Sequence, residues 1–520
     1  MPLDFLRETE QYQKLLSAVQ EGTKSISLTG VIDAAKPYVL ALLVRDVQRP
    51  VIFIRPSTAA LFRFKEKCRF FLEELYPVKE RTGTAPLLTA GIFPALSENP
   101  YQEITPSLET VSSRMRFLHS LLYETPALII TSLKALLKPF PNQENLSRSF
   151  VELALNEKYG RDRLLDKLAE FGYSREDLTN SHGEYAWRGG IVDVFSPWAD
   201  HPFRIEFSGD DVVSLRKFDS FSQRSLHKID RILIPALYEF PNSRTFFEEW
   251  ENRALQKASR IYLRDIEQKT DSLRSGDIFP SFAYAALLNK EYFVPSHHYL
   301  KEALFLVDDM NEVESDWEDS LGEFNDQFDE LKNLKKFALS PDAIYPPVLW
   351  ENIKYKAVNL NNFFPQSGRR TLSVHLNFQS VPQFNNKIPF FLEYVKKRQE
   401  ERDLCAVYIS NEVVRRKLAA LLSQEEIPHC EMAGPIDVPR DGAVALLLGR
   451  LAKGFSYPEN RITYFSEQDI FTAEKVLIRR KQVKPFSSHF QDLQAGDYIV
   501  HSDYGIGIFS GLIKMVIEGN

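Results

Sequence analysis

Three short groupings hold side chains whose types and spacing suit chemistry. In the first, Gly30, Ala35, Lys36 and Pro37 fall on the spacing G-x-x-x-x-G-K-[ST] of a phosphate-binding loop. In such a loop glycines let backbone amides approach phosphate, the lysine pairs with its charge and the hydroxyl holds magnesium. Lys36 survives here, but Pro37 has neither a hydroxyl nor an N–H, and Asp33 adds negative charge where phosphates would sit. This is a degenerate phosphate loop, expected to keep the shape of a nucleotide fold without its chemistry. In the second grouping, residues 304–307 followed by Asp308 and Asp309 have the strand-plus-acid form of a Walker B element, a pattern that also arises by chance. Lys36 and these aspartates are the whole support for ATP hydrolysis, since no second phosphate-loop pattern and no D-E-x-[HQ] sequence occurs. In the third, Arg188, Arg204 and Glu206 lie within residues 183–225. Arginine's planar fork bonds carboxylates in two places, and charge-assisted bonds can anchor interfaces, so this segment reads as recognition. No residue is assigned a catalytic role. Cys68, Cys405 and Cys430 lie far apart without C-x-x-C spacing, and His501 has no convergent Cys, His or acid, so no metal site is expected.

The elements that must position these groups follow from periodicity. Phe203, Ile205 and Phe207 alternate with Arg204, Glu206 and Ser208, the period of a strand with one buried and one wet face. Residues 208–211 supply a turn and residues 212–218 resume the extended pattern, so a hairpin is expected. Upstream, Gly189-Gly190 interrupts a strand-like run and suits a bulge or a close backbone approach. On pattern alone, Arg188, Arg204 and Glu206 are the solvated face of an antiparallel meander. A helix is expected over residues 161–171, with Leu164, Leu165 and Leu168 as its apolar stripe, and a surface helix over residues 246–258. Residues 308–330 carry eleven acids and no base, yet Trp317, Leu321, Phe324, Phe328 and Leu331 recur at helical spacing, which predicts one docked helix with an acidic outer face. Residues 406–465 alternate strand and helix compactly, and the triplets 396–398, 415–417 and 479–481 are basic but lack interleaved aromatics, so they read as solvated faces. In the tail, residues 498–501 and 507–509 form two short strand patterns.

The chain has 520 residues, 44% of them apolar, enough for several domains each with its own core. A net charge of −7 gives no global attraction to nucleic acid. Unpaired cysteine usage, the lack of a membrane-length apolar run and an acidic N-terminus without a signal core predict a cytoplasmic protein with no membrane partner.

The run RGG-[IV]-[IV]-D-[IV]-F-x-P, then P-x-R-I-E-F-x-G-D, S-[IL]-R-x-F-D and S-Q-R-S resembles the UvrB-homology module of the bacterial transcription-repair coupling factor family. The resemblance implies that this module docks the ATPase UvrA through Arg188 and Arg204, with Glu206 beside Arg204 and Phe207 after it; Ser208 stands where the family commonly has a second aromatic. Residues 453–458 and 466–471 are similar to the family's third domain. Residues 490–512 resemble its CarD-like module, which implies contact with the RNA polymerase β subunit through Val500, His501, Tyr504, Gly505, Gly507 and Phe509; Tyr504 replaces the family's second histidine.

The expected fold is an α/β multidomain chain. A UvrB-like degenerate P-loop domain occupies residues 1–145 and 232–358, with the inserted α+β module at 146–231. A linker at 359–370, a small α/β domain at 371–474, a linker at 475–489 and the start of a small β-barrel at 490–520 follow. The resemblance spans about the first half of the family protein, so a fragment lacking the ATP-driven translocase is expected, with ATP and magnesium belonging only to that missing motor. The implied function is recruitment: binding stalled RNA polymerase and bringing UvrA to damaged double-stranded DNA. The alternatives are an ATP-dependent UvrB- or helicase-like DNA enzyme and a CarD-like transcription regulator.

Overall fold

The computed structural model describes residues 2–56, 61–75, 90–123, 128–361, 372–432, 443–471, 498–501 and 505–508. An all-parallel sheet of seven strands runs in the order Leu372–His375, Ile26–Thr29, Val358–Asn361, Leu304–Asp308, Val51–Arg55, Leu128–Ser132 and Ala90–Phe93. Its central strands are apolar without alternation and buried along their length, as a parallel sheet covered on both faces requires. Two placements differ from expectation. Residues 359–361, read as linker, close a strand of this sheet, and Leu372–His375, read as the start of the next domain, is its edge strand. Register with Ile26–Thr29 holds both: a partner more than 300 residues away in sequence decides the structure of two four-residue runs.

The segment between the fourth of these strands in the chain, Leu128–Ser132, and Leu304–Asp308 contains the inserted module. Phe150–Ala154 pairs antiparallel with Arg231–Pro235, which brings the module's two ends together. Helix Arg161–Glu170 buries Leu164 and Leu168 against it. A buried charge cluster fastens the return segment to the host. Arg114 bonds both carboxylate oxygens of Glu239, donates to the Pro94 carbonyl at 2.5 Å and lies over the Phe93 ring at 4.0 Å. Lys138 reaches the same carboxylate at 3.2 Å. Burial alone would push the Glu239 carboxyl up, but the Arg114 and Lys138 cations override it and hold it at about 2. Helix Arg244–Lys257, expected at the surface, buries Phe246, Phe247, Trp250 and Ala254, with Phe282 packed against all three aromatics. The acidic run forms helix Met310–Asn333, which buries Val313, Trp317 and Phe324 and turns its acids outward.

The following α/β unit has a sheet in the order Gln379–Ser380, Phe455–Tyr457, Ile462–Ser466, Leu404–Ile409, Val444–Leu448 and His429–Met432, its last four strands parallel. It shares a core with the first sheet. Phe5 meets Tyr457 at 5.4 Å between ring centroids, Tyr38 meets Phe455 at 5.6 Å and Phe70 meets Tyr408 at 5.0 Å. Each such pair adds about 0.5–1.5 kcal/mol beyond area burial. The phrase at 453–458 is therefore a packing motif. A side chain on Gly454 would collide with the Tyr464 carbonyl, and the Gly454 amide donates to Asp469 at 2.7 Å, the residue that also closes a capping box with Ser466. The arginines of the basic triplets at 396–398 and 415–417 are paired within the unit, Arg398 with Asp403, Arg415 with Glu431 and Arg416 with Glu412; residues 479–481 lie outside the described residues. No helix among the described residues is long and apolar enough to cross a membrane.

Candidate functional site

The module's sheet runs in the order Ser225–Lys228, Asp211–Phe218, Phe203–Ser208, Ile191–Val194, Glu184–Arg188 and Ser174–Arg175. Register sorts the recognition residues into two rows. Asp193, Arg204 and Arg216 stand side by side, as do Ile191, Glu206 and Ser214, with Arg188 opposite Ile191 at the end of the second row. Cross-strand neighbours of opposite charge interact directly. Arg204 grips Asp193 with both arms, at 2.8 and 2.7 Å, reaches the Gln223 side chain at 3.2 Å and lies over the Phe218 ring at 4.3 Å. Glu206 accepts from Arg216. Arg188 differs: it is exposed, donates once to the Asp177 carbonyl at 3.1 Å and has no ion pair among the described residues. Opposite it, Ile191 is 36% exposed; Trp187, 37% exposed, projects from the other face of the strand, where Arg161 and Arg175 lie over its ring.

Gly190 is where the backbone approach foreseen in the sequence occurs. Phe207 N donates to the Gly190 carbonyl at 2.8 Å, and a side chain at 190 would stand 2.8 Å from the Phe207 carbonyl. The alternation of residues 203–208 places Arg204 and Glu206 on the wet face and Phe203, Ile205 and Phe207 in the core. Phe207 is only 9% exposed, so it supports the strand from beneath and offers no surface of its own. Ser208 is exposed and pairs with Asp211 at the hairpin end. Asp193, Arg216 and Gln223 went unrecognised in the sequence, although Asp193 sits in the same RGG-x-x-D run. Their role depends on register across three strands.

The loop after Ile26–Thr29 is closed by its own charges. Gly30 turns the chain and its carbonyl accepts from Phe378 N at 3.0 Å. The Ala35 and Lys36 amides both donate to the Ile32 carbonyl, at 2.9 and 3.1 Å, so neither points outward as a phosphate cradle needs. Helix Lys36–Val47 begins without a side-chain cap, with Pro37 in its first turn. Lys36 Nζ is held between Asp308 and Asp33, each at 2.6 Å, and the second Asp308 oxygen accepts from Arg55 at 2.9 Å. Burial draws the Lys36 pKa down, and the Asp308 and Asp33 carboxylates outweigh it, leaving the ammonium above its ordinary value. Asp309 caps helix Met310–Asn333 by accepting from Glu312 N. Every charged group of the two nucleotide-like fragments is thus engaged by another side or main chain.

In the tail, Tyr498–His501 and Gly505–Ile508 pair antiparallel, with Val500 opposite Ile506, His501 opposite Gly505 and Ile499 opposite Gly507. Tyr504 and Phe509 lie outside the described residues.

A largely antiparallel module set into a parallel α/β host, presenting arginines on its wet face, defines a multidomain α/β protein. The comparisons agree: the UvrB interaction domain model matches residues 151–240 and the CarD-like/TRCF RID domain model matches residues 493–520. Similar over most of the chain are the transcription-repair-coupling factors of Myxococcus xanthus (27% identical, 94% of this chain and 42% of the relative), Bacillus subtilis (23%, 99% and 44%) and Escherichia coli K12 (24%, 98% and 44%). The chain is similar to the amino-terminal portion of the transcription-repair-coupling factors. It spans less than half the length of these relatives.

Proposed function

We propose that this chain is a recruitment assembly for transcription-coupled nucleotide excision repair. The wet face of the inserted sheet docks UvrA, the strands Tyr498–His501 and Gly505–Ile508 engage the RNA polymerase β subunit, and the α/β host holds the two apart without turning over ATP. The observation that carries this reading is the contrast along one sheet face. Arg204 and Glu206 are neutralised by Asp193 and Arg216, while Arg188 keeps an exposed fork opposite the partly exposed Ile191. A charged donor with three or more unused N–H groups next to exposed apolar surface has the composition of an interface anchor. Arg204 then acts by holding the hairpin flat, and Arg188 makes the contact.

The closed loop supports the view that residues 30–37 are a degenerate phosphate loop, with Lys36 committed to Asp308 and Asp33 in place of a nucleotide. Damaged duplex DNA enters as the substrate to which UvrA is brought. Immobilised chain incubated with purified UvrA and RNA polymerase tests the proposal. It is expected to retain both, and removal of residues 490–520 is expected to abolish polymerase retention alone. Failure to retain UvrA contradicts the docking role.

A further inference from the structure

A second feature lies at the opposite end of the parallel sheet from Lys36. Where strands Ile26–Thr29, Leu304–Asp308 and Val358–Asn361 begin, a cavity of about 600 Å³ opens to solvent. Its floor is apolar, built from Leu300, Phe305 and Ile353 among others. Its rim carries Lys24, Arg49, His297, Lys301 and Lys356, and no acidic side chain lines it among the described residues.

The rim is unusual for this molecule. The chain has seven more acids than bases overall, and the arginines of its basic triplets at 396–398 and 415–417 are paired internally. Here none of the four Lys and Arg side chains has an ion pair among the described residues, although they converge on one concavity. Arg49 donates one arm to the Val19 carbonyl at 3.2 Å, and its Nε is buried without a hydrogen-bond partner among the described residues. Buried donors are satisfied in the great majority of cases, and like charges gathered without a counter-charge repel. An anion in the cavity offsets the repulsion among the rim cations.

The shape narrows the ligand. The volume falls within the range of small-molecule sites, and an open concavity with apolar residues under a cationic rim fits a compact molecule with a ring and phosphates, whereas a duplex presents its phosphates on a convex surface. The carboxyl ends of parallel strands are the usual ligand end of an open α/β sheet, and here that end is the one Lys36 and Asp308 close. The geometry points to a separate site, at the amino ends of the strands, for a small phosphorylated ligand of the nucleoside phosphate type: Arg49, Lys24, Lys301 and Lys356 hold the phosphates and the floor takes the ring. This site is independent of UvrA docking.

Titration calorimetry of the full chain with ATP and with pyrophosphate, in EDTA and at low salt, tests it. The comparison variant is Lys301→Glu with Lys356→Glu, both exposed positions whose replacement leaves the core intact. Saturable one-site ATP binding is expected, weaker by about tenfold or more in the double variant at unchanged melting temperature, with pyrophosphate binding more weakly than ATP. Absence of saturable ATP binding at millimolar concentration overturns the proposal, as does equal affinity in the double variant. Pyrophosphate binding as tightly as ATP overturns the role of the floor. Binding of a labelled single-stranded oligonucleotide without any mononucleotide binding overturns the small-ligand assignment.

Discussion

Replacing Asp308 with alanine deprives two cations of the carboxylate they share. Lys36 and Arg55 sit 2.6 and 2.9 Å from its two oxygens, and the Lys36 side chain is 3% exposed. Removing one partner of a buried pair costs about 3–5 kcal/mol, because the remaining charge stays buried. Two features reduce the figure here. Asp33 retains its 2.6 Å contact with Lys36, but at 81% exposure that bond is screened and contributes at most about 1 kcal/mol. Arg55, at 19% exposure, can turn partly toward water. The expected loss for Asp308→Ala is therefore about 3 kcal/mol, the lower end of the buried-pair range. Changing Lys36→Met together with Asp308→Leu removes both buried charges and is expected to cost about 1 kcal/mol or less, since apolar replacements of buried pairs are often neutral. Urea unfolding gives the cycle, and hydrogen exchange in Ile26–Thr29 and Leu304–Asp308 localises it, because a multidomain chain need not unfold in one step. If Asp308→Ala costs less than about 0.5 kcal/mol, the ordinary range for surface substitutions, the loop is not closed by this carboxylate and the reasoning fails.

Two further outcomes follow from the packing. Burial of Glu74 near Tyr408, and then the neighbouring Glu73 carboxylate, push its carboxyl up to about 7. Folded protein then holds a proton that the unfolded chain releases near pH 4.3, so stability falls as pH rises from there to about 7; Glu74→Gln is expected to flatten that slope in urea titrations across pH. Gly190→Ala sets a methyl 2.8 Å from the Phe207 carbonyl, and is expected to cost about 1–3 kcal/mol, as overpacking does, with faster amide exchange at Phe207.

Much of this arrangement is readable from the sequence where the signal is local. The alternation at 203–208 separates Arg204 and Glu206 from Phe203, Ile205 and Phe207, and Gly190 announces a close approach, because both depend on neighbouring residues alone. What the sequence conceals is non-local. Asp193 meets Arg204 only through strand register, and Leu372–His375 belongs to the first sheet only because Ile26–Thr29 leaves an edge for it. The aromatic seam of Phe5, Tyr38 and Phe455 is hidden in the sequence, because their common cluster requires two sheets to pack. The contrast between the two arginines is likewise invisible in sequence, where Arg188 and Arg204 look alike and only geometry shows Arg204 paired with a carboxylate and Arg188 without an ion pair among the described residues.

That contrast makes the decisive measurement simple. The affinity of purified UvrA is compared for the chain, for Arg188→Glu, and for the exchange Asp193→Arg with Arg204→Asp, which reverses the internal pair while keeping a bridge. Arg188→Glu is expected to weaken binding by about tenfold or more, as loss of an interface arginine does, and the exchanged pair by much less. Unchanged UvrA affinity in Arg188→Glu, with the module folded, contradicts the docking face assigned here.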